Sequence, residues 1–375
     1  MQLKPFLLDE WLDAHEHHAI YNLAASTGPV WTLNELLNLA TEEERDRFLQ
    51  QKIVYSRPAG ADTLRSAIAK HHGVHPEAVQ VVTGASEALL TLFWLAAEPG
   101  ANVIIPRPGF TTFSALPESL HLETRHYNIR KEDSFRIDIE EIQKLADHNT
   151  KLILINSPHN PTGATITDAD LDALHEFTSS RNIRLVVDEV YHPIFYGEPT
   201  QSASRLPNAT VIHDFSKAFS LSGLRTGWIV DHNPQRRKDY WTARAYFSIT
   251  NNTPGEFLAE LAMRHRDQVL SRTQKAATKN LHHLDTFMAQ HRETIGWVRP
   301  RGGMTAFPWL VSGENSREFC KAAAEQGILL APGDCFDAPQ HFRLGFAATA
   351  SQFPTALNQL GELIASWPHA LQPKA

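Results

Sequence analysis

Lys217, in HDFSKAFSLSGLRTGW (213–228), follows the apolar run ATVIHD (209–214) and is fenced by Phe215 and Phe219. A lysine placed so is poorly solvated; it is either a paired core cation or an amine kept to react. Asp188 closes another apolar run within VVDEVYHPIFYG (186–197). A carboxylate there is costly unless paired, with a structural arginine or with a cationic ring nitrogen. TGASEAL (83–89) reads as a strand ending at Thr83 and a helix beginning near Ser86. Free N–H groups and the helix dipole make such a turn an anion site; alone, the plainer reading is Ser86 as an N-cap. NSPHNPTG (156–163) is a rigid turn, either only a tight loop or a fixed backbone presenting Asn160 to a ligand. Ser216 and Arg225 suit a phosphate, the arginine through its planar fork.

The elements that must position these groups are short apolar runs bounded by turn residues. They are VQVVT (79–83), NVIIP (102–106), HLETRHYNI (121–129), KLILIN (151–156), IRLVVD (183–188), ATVIHD (209–214) and TGWIV (226–230). Most lack alternation, the pattern of strands covered on both faces. Helical stretches such as SEALLTLFWLAAE (86–98) and TDADLDALHEFTSSR (167–181) separate many of them. Strands alternating with helices predict an α/β fold with a mainly parallel seven-stranded sheet. Ligands of such sheets bind at the carboxyl ends of strands, where Asp188 and Lys217 fall together. An amine, a carboxylate and a phosphate cradle at one edge match the needs of pyridoxal 5'-phosphate. After Pro254 a helical region runs to about His291; strand-like GGMTAFPWL and HFRLGFA and a helix near 351–366 follow. The chain divides into a large domain over 45–275 and a smaller α+β domain built from 1–44 and 276–375.

Composition narrows the classes. The 375 residues are 42% hydrophobic and 21% charged, ordinary for a folded globule, with a formal net charge of −7 and no basic footprint for nucleic acid. The two cysteines, Cys320 and Cys335, offer no disulfide framework and fit reduced thiols in a cytoplasmic setting. The N-terminus carries acids where a signal peptide needs an apolar core, and no run is long enough to span a bilayer. HEHH (15–18) has metal-ligand residue types, but on a short helix it reads as a solvated face. His71, His72 and His75 also read as surface.

Taken in order, YSRPAGADTLRSAIA (55–69), NPTG (160–163), DEVY (188–191), SKAFSLSGLRTGW (216–228), PRGGM (300–304) and FRLGFA (342–347) resemble the class I/II aminotransferases of the fold-type I pyridoxal-phosphate enzymes. The resemblance covers nearly the whole chain and implies roles. Lys217 is implied as the Schiff-base lysine that also moves the substrate proton, and Asp188 as the residue that keeps the pyridine nitrogen protonated. Asn160 and Tyr191 are implied at the ring's 3'-oxygen, and Phe110, in PRPGF, on the ring face. Ala85, Ser86, Ser216 and Arg225 are implied as the phosphate cup, with Tyr55 reaching the phosphate of a neighbouring subunit. The implied partner is therefore a second copy of the chain, in a homodimer with shared active sites. Arg343 is implied to fork onto the substrate α-carboxylate.

The resemblance implies transfer of an amino group from an L-amino acid to a 2-oxo acid. NLAASTGPVW (22–31) departs from the family's Gly-rich N-terminal turn and leaves substrate identity open. Ser26, Thr27 and Trp31 are expected at the substrate side-chain end, Thr27 as a substrate contact. No second arginine is plainly placed for a dicarboxylic side chain, though Arg57 or Arg244 could supply one across a dimer. A neutral, aromatic or basic amino acid is therefore expected ahead of aspartate. AASTGP and the short N-terminal arm also resemble capreomycidine-synthase-like members, which cyclise a hydroxyarginine, so a lyase or cyclase is the alternative. An aminotransferase-like effector-binding module is a third reading; it wants a DNA-binding domain, and the 54 residues that precede YSRPAG are too few for one beside the family's own arm.

Overall fold

A computed structural model describes residues 3–367. Residues 1, 2 and 368–375, part of the expected small domain, lie outside the described residues.

Seven strands form the central sheet: β1 (Val79–Val82), β2 (Asn102–Arg107), β3 (Glu123–Asn128), β4 (Thr150–Asn156), β5 (Arg184–Asp188), β6 (Ala209–Asp214) and β7 (Gly227–Asp231). Their order is β1-β7-β6-β5-β4-β2-β3, and only β7 runs against its neighbours. All seven predicted runs are strands, so the fold is the expected α/β class. The reason lies in burial. On β4, Ile153 and Ile155 enter one apolar cluster while Leu152 and Leu154 enter another on the opposite face. On β5, Leu185 and Val187 are set against Val186 in the same way. Both faces are covered, so the strands read as continuous apolar runs.

Register sets the site. Asn156 at the end of β4 pairs with Asp188 at the end of β5, and β6 ends beside them at Asp214. Past β1 the chain turns at Thr83 into helix α1 (Gly84–Ala96), whose amino end faces the same edge. The helical region after Pro254 is two helices, α2 (Thr253–Arg264) and α3 (Arg266–Gln290), broken at the non-helical His265. Asn252 caps α2 by accepting from Gly255 N, and Pro254 fits its first turn.

Both chain ends meet over this edge. The short strand Tyr21–Asn22 pairs with Ile328–Leu329, and Phe342–Gly345 lies between Thr305–Ala306 and Ala331–Pro332. Trp11 Nε1 donates to Leu330 O at 2.7 Å, and Gly345 N donates to Leu23 O at 2.6 Å, tying the N-terminal segment to the strand that carries Arg343 and to the chain just before its neighbour Ala331–Pro332.

Two expectations change. His71 and His72 are half-buried rather than surface groups. His72 Nε2 accepts from Trp228 Nε1 at 2.9 Å and Nδ1 meets Ser204 Oγ at 3.1 Å. Burial pushes the His72 imidazole well down and His71 to about 3. The polar letters of the helix end Lys70-His71-His72 concealed its packing against Trp228; His75 is exposed as expected. Among the described residues no group of three or more His, Cys, Asp or Glu side chains could hold a metal, and no helix is long and apolar enough to cross a membrane.

Candidate active site

A cavity of about 390 Å³ opens at the carboxyl edge of the sheet, roofed by the N-terminal segment. The predicted site residues line it except Tyr55 and Trp31. Tyr55 is 79% exposed, in a run with Ile53 at 80% and Val54 at 63%.

Lys217 is half-buried on the turn after β6, and Nζ donates to Ser26 Oγ at 2.9 Å. Asp188 is 4% exposed at the end of β5, and its Oδ1 accepts from Val190 N at 3.1 Å. Burial raises its carboxyl to about 7; nearby Asp214 adds to the rise and Lys217 opposes it. A carboxyl so disposed gains most from a cation brought to it.

Asn160 and Tyr191 face the same space. Asn160 N donates to Asn156 Oδ1 at 2.8 Å, and Asn156 Nδ2 donates to Asp188 O at 3.1 Å. The turn is thus hung from the sheet edge. The Tyr191 hydroxyl is buried with no hydrogen-bond partner among the described residues. Arg343 is 3% exposed; Nη2 donates to Ala24 O at 2.6 Å, Nη1 to Asn160 Oδ1 at 3.2 Å, and Nε has no partner among the described residues. Its guanidinium lies 5.0 Å over the Phe336 ring, and burial pulls it below its ordinary value. A buried guanidinium gains from an acceptor for its remaining N–H.

The anion cradle forms where α1 begins. Asp214 accepts from Ser216 N at 2.9 Å and, more weakly, from Ala85 N at 3.4 Å. Arg225 has φ 47° and sends Nη1 to Ser216 Oγ at 3.4 Å and to Ser222 O at 3.2 Å. Gly84 has φ +75°, and a Cβ there would meet Arg225 Nη2 at 2.8 Å, so glycine lets the guanidinium reach the helix end. Ser86 and Arg225 are open to solvent in the single chain. Phe110 packs edge-on to Phe6, 5.7 Å between centroids, and to Phe113 at 5.8 Å.

Other expectations are redistributed. Thr27 lines the cavity, but Trp31 does not: it lies under Arg272, whose guanidinium is 4.4 Å above its ring. Arg244 is not a free substrate ligand. It is 1% exposed and bonds Pro58 O, Val81 O and Asn251 Oδ1, with Glu87 at 3.5 Å. Arg57 is exposed and paired with Asp62 at 2.9 Å. Asn156 and Asp214 were not singled out, although both are polar residues closing apolar strands, the signal that found Asp188. Ser26 was expected at the substrate end, and it meets Lys217.

The residues fit pyridoxal 5'-phosphate on their own chemistry. The orphaned Tyr191 hydroxyl, the buried Asp188, the half-buried amine and the cradle at Ala85, Ser86, Ser216 and Arg225 match its ring oxygen, ring nitrogen, aldehyde and phosphate.

Comparison with known proteins agrees. Residues 22–360 match the family Aminotransferase class I and II. The chain is 26% identical to capreomycidine synthase of Streptomyces vinaceus over 95% of this chain and 92% of that one. It is 28% identical to an aspartate aminotransferase of Thermotoga maritima over 86% and 87%. A PLP-dependent aminotransferase structure from Streptococcus suis superposes with a TM-score of 0.93 at 28% identity, covering all of both chains.

Proposed function

The chain belongs to the class I and II aminotransferases, pyridoxal-phosphate-dependent enzymes, and we propose that it moves the amino group of an L-amino acid to a 2-oxo acid. The observation that carries this reading is the convergence of Lys217, Asp188 and Arg343 on one cavity. When bound, pyridoxal 5'-phosphate supplies a ring that takes up the electron pair left as the substrate Cα loses its proton.

The chain's own residues do the rest. Lys217 Nζ is the attachment point and then the carrier of the Cα proton. Asp188 holds the proton on the ring nitrogen. Asn160 and Tyr191 hydrogen-bond the ring oxygen, and Phe110 covers the ring face. Ala85 and Ser86 at the helix end, with Ser216 and Arg225, hold the phosphate. Arg343 binds the α-carboxylate, and Thr27 lies at the substrate end. Tyr55 reaches the phosphate of a second copy; the adjoining exposed Ile53 and Val54 favour a subunit contact there. A homodimer with shared sites, a large unit over 45–275 with a small one from 1–44 and 276–375, and a cytoplasmic setting belong to the same proposal.

The test is a screen of amino acids against the bound cofactor's spectrum, followed by assay of the 2-oxo acid formed. A cyclase or lyase is the second reading, favoured by the likeness to capreomycidine synthase. Consumption of an amino acid without transfer of its nitrogen to an added 2-oxo acid would select it.

A further inference from the structure

The hydroxyl of Ser26 is 6% exposed and accepts from Lys217 Nζ at 2.9 Å. The backbone that presents it is clamped. Arg343 Nη2 holds Ala24 O at 2.6 Å, and Gly345 N holds Leu23 O at 2.6 Å. Asn22 Oδ1 accepts from Ala24 N at 3.1 Å and Ala25 N at 2.9 Å. A Cβ on Gly345 would fall 1.8 Å from Ala25 O, so glycine lets the strand press this closely against the segment. Ser26 is therefore held against the amine by a clamped segment.

We propose that Ser26 is a positioning residue that aims the Lys217 amine during proton transfer, a reading that rests on Lys217 as the carrier of the Cα proton. A neutral amine has two N–H bonds and one lone pair. Giving one N–H to Ser26 Oγ restrains rotation about Cε–Nζ and so points the lone pair. In the step, the substrate Cα–H bond breaks, a third N–H bond forms on Nζ, and the electron pair stays on the substrate side. The Ser26 O–H bond is untouched. Nζ is then an ammonium, and its bond to Oγ becomes charge-assisted and stronger. An interaction that strengthens as the proton arrives lowers the barrier rather than only the ground state. Nothing in the sequence distinguishes Ser26 from Thr27 for this task; the 2.9 Å contact does.

The test separates proton movement from binding and from product. Holoenzyme and its Ser26→Ala and Ser26→Thr variants are incubated with an amino acid in deuterium oxide, and loss of the Cα proton is followed by NMR. Binding is measured by titrating a 2-methyl amino acid, which has no Cα proton, against the cofactor's spectrum. For Ser26→Ala, exchange is expected to fall roughly tenfold to a hundredfold, the scale of one charge-assisted hydrogen bond. Affinity for the 2-methyl compound is expected to stay within about twofold, and Ser26→Thr, which keeps a hydroxyl, to exceed Ala. Unchanged exchange in Ser26→Ala, an equal loss of 2-methyl binding, or Thr no better than Ala would overturn the assignment. Exchange that depends on Ser26 without nitrogen transfer would sustain it while sinking transamination; no exchange in the wild-type enzyme with any amino acid would sink both.

Discussion

Asn160 Oδ1 accepts from Arg343 Nη1 across 3.2 Å, joining the turn after β4 to the strand Phe342–Gly345. The contact links the residue proposed for the cofactor ring to the one proposed for the substrate carboxylate. The Arg343 Nε is buried and has no hydrogen-bond partner among the described residues. Arg343→Ala removes the shared anchor, so every amino acid should suffer alike. Loss of such a charged pair costs about 2–5 kcal/mol. Single-turnover titrations with neutral, aromatic, basic and acidic amino acids check this. Half-reactions left unchanged across the series would remove Arg343 from the site. Aspartate outpacing neutral amino acids in the wild type would overturn only the proposed substrate preference, which rests on no second arginine being plainly placed for a dicarboxylic side chain; Arg244, one of the two candidates, is spent inside the fold.

Lys217 is expected to carry the cofactor covalently. It is the lysine lining the cavity, with Ser216 and Arg225 as phosphate-type neighbours. Borohydride reduction of the yellow holoenzyme, then peptide mapping, should place the label on the peptide containing Lys217. Label on another lysine would end the assignment. Lys217→Ala should give a protein whose cofactor is removed by dialysis.

Tyr55 is exposed in the single chain and outside the cavity, so its proposed role requires a second copy. Mixing Tyr55→Phe with Lys217→Ala, each impaired alone, should restore partial activity through hybrid dimers carrying one site free of both substitutions. No recovery after subunit exchange, or an active monomer in sedimentation, would count against shared sites.

Much of this was legible because the sheet is buried on both faces. Runs such as KLILIN and ATVIHD needed no partner information to read as strands, and a polar residue closing such a run marks the ligand edge. That rule found Asp188. Applied evenly it would also have found Asn156 and Asp214. Distances across the chain were not legible. The contact of Ser26 with Lys217 joins residues 191 positions apart, and nothing in AASTGP distinguishes Ser26 from Thr27. Arg244 looked available because sequence does not show that Pro58 O, Val81 O and Asn251 surround it. His72 looked solvated for the same reason: its partner Trp228 lies on the far side of the sequence.

Asp188 gives a prediction about pH as well as rate. Its carboxyl is raised by burial from 3.8 to about 7 in the folded chain. An acid whose folded value is raised keeps its proton in the native state after the unfolded chain has lost it. Its contribution to stability is therefore present at low pH and lost as pH rises from about 4 through about 7. Over that window the ideal loss is about 4 kcal/mol, at roughly 1.4 kcal/mol per pH step. Asp188→Asn cannot ionise, so cofactor-free Asp188→Asn should be more stable than cofactor-free wild type at pH 8, with the gap shrinking toward pH 5. Denaturant melts at the two pH values measure it. With cofactor present the ranking should reverse, because a ring nitrogen that carries a proton rewards the charged carboxylate. Turnover by Asp188→Asn should fall on the order of a thousandfold if transition-state charge on the ring depends on that proton. Near-normal turnover would show that another group protonates the ring. An unchanged stability gap between pH 5 and pH 8 would show that Asp188 is ionised throughout.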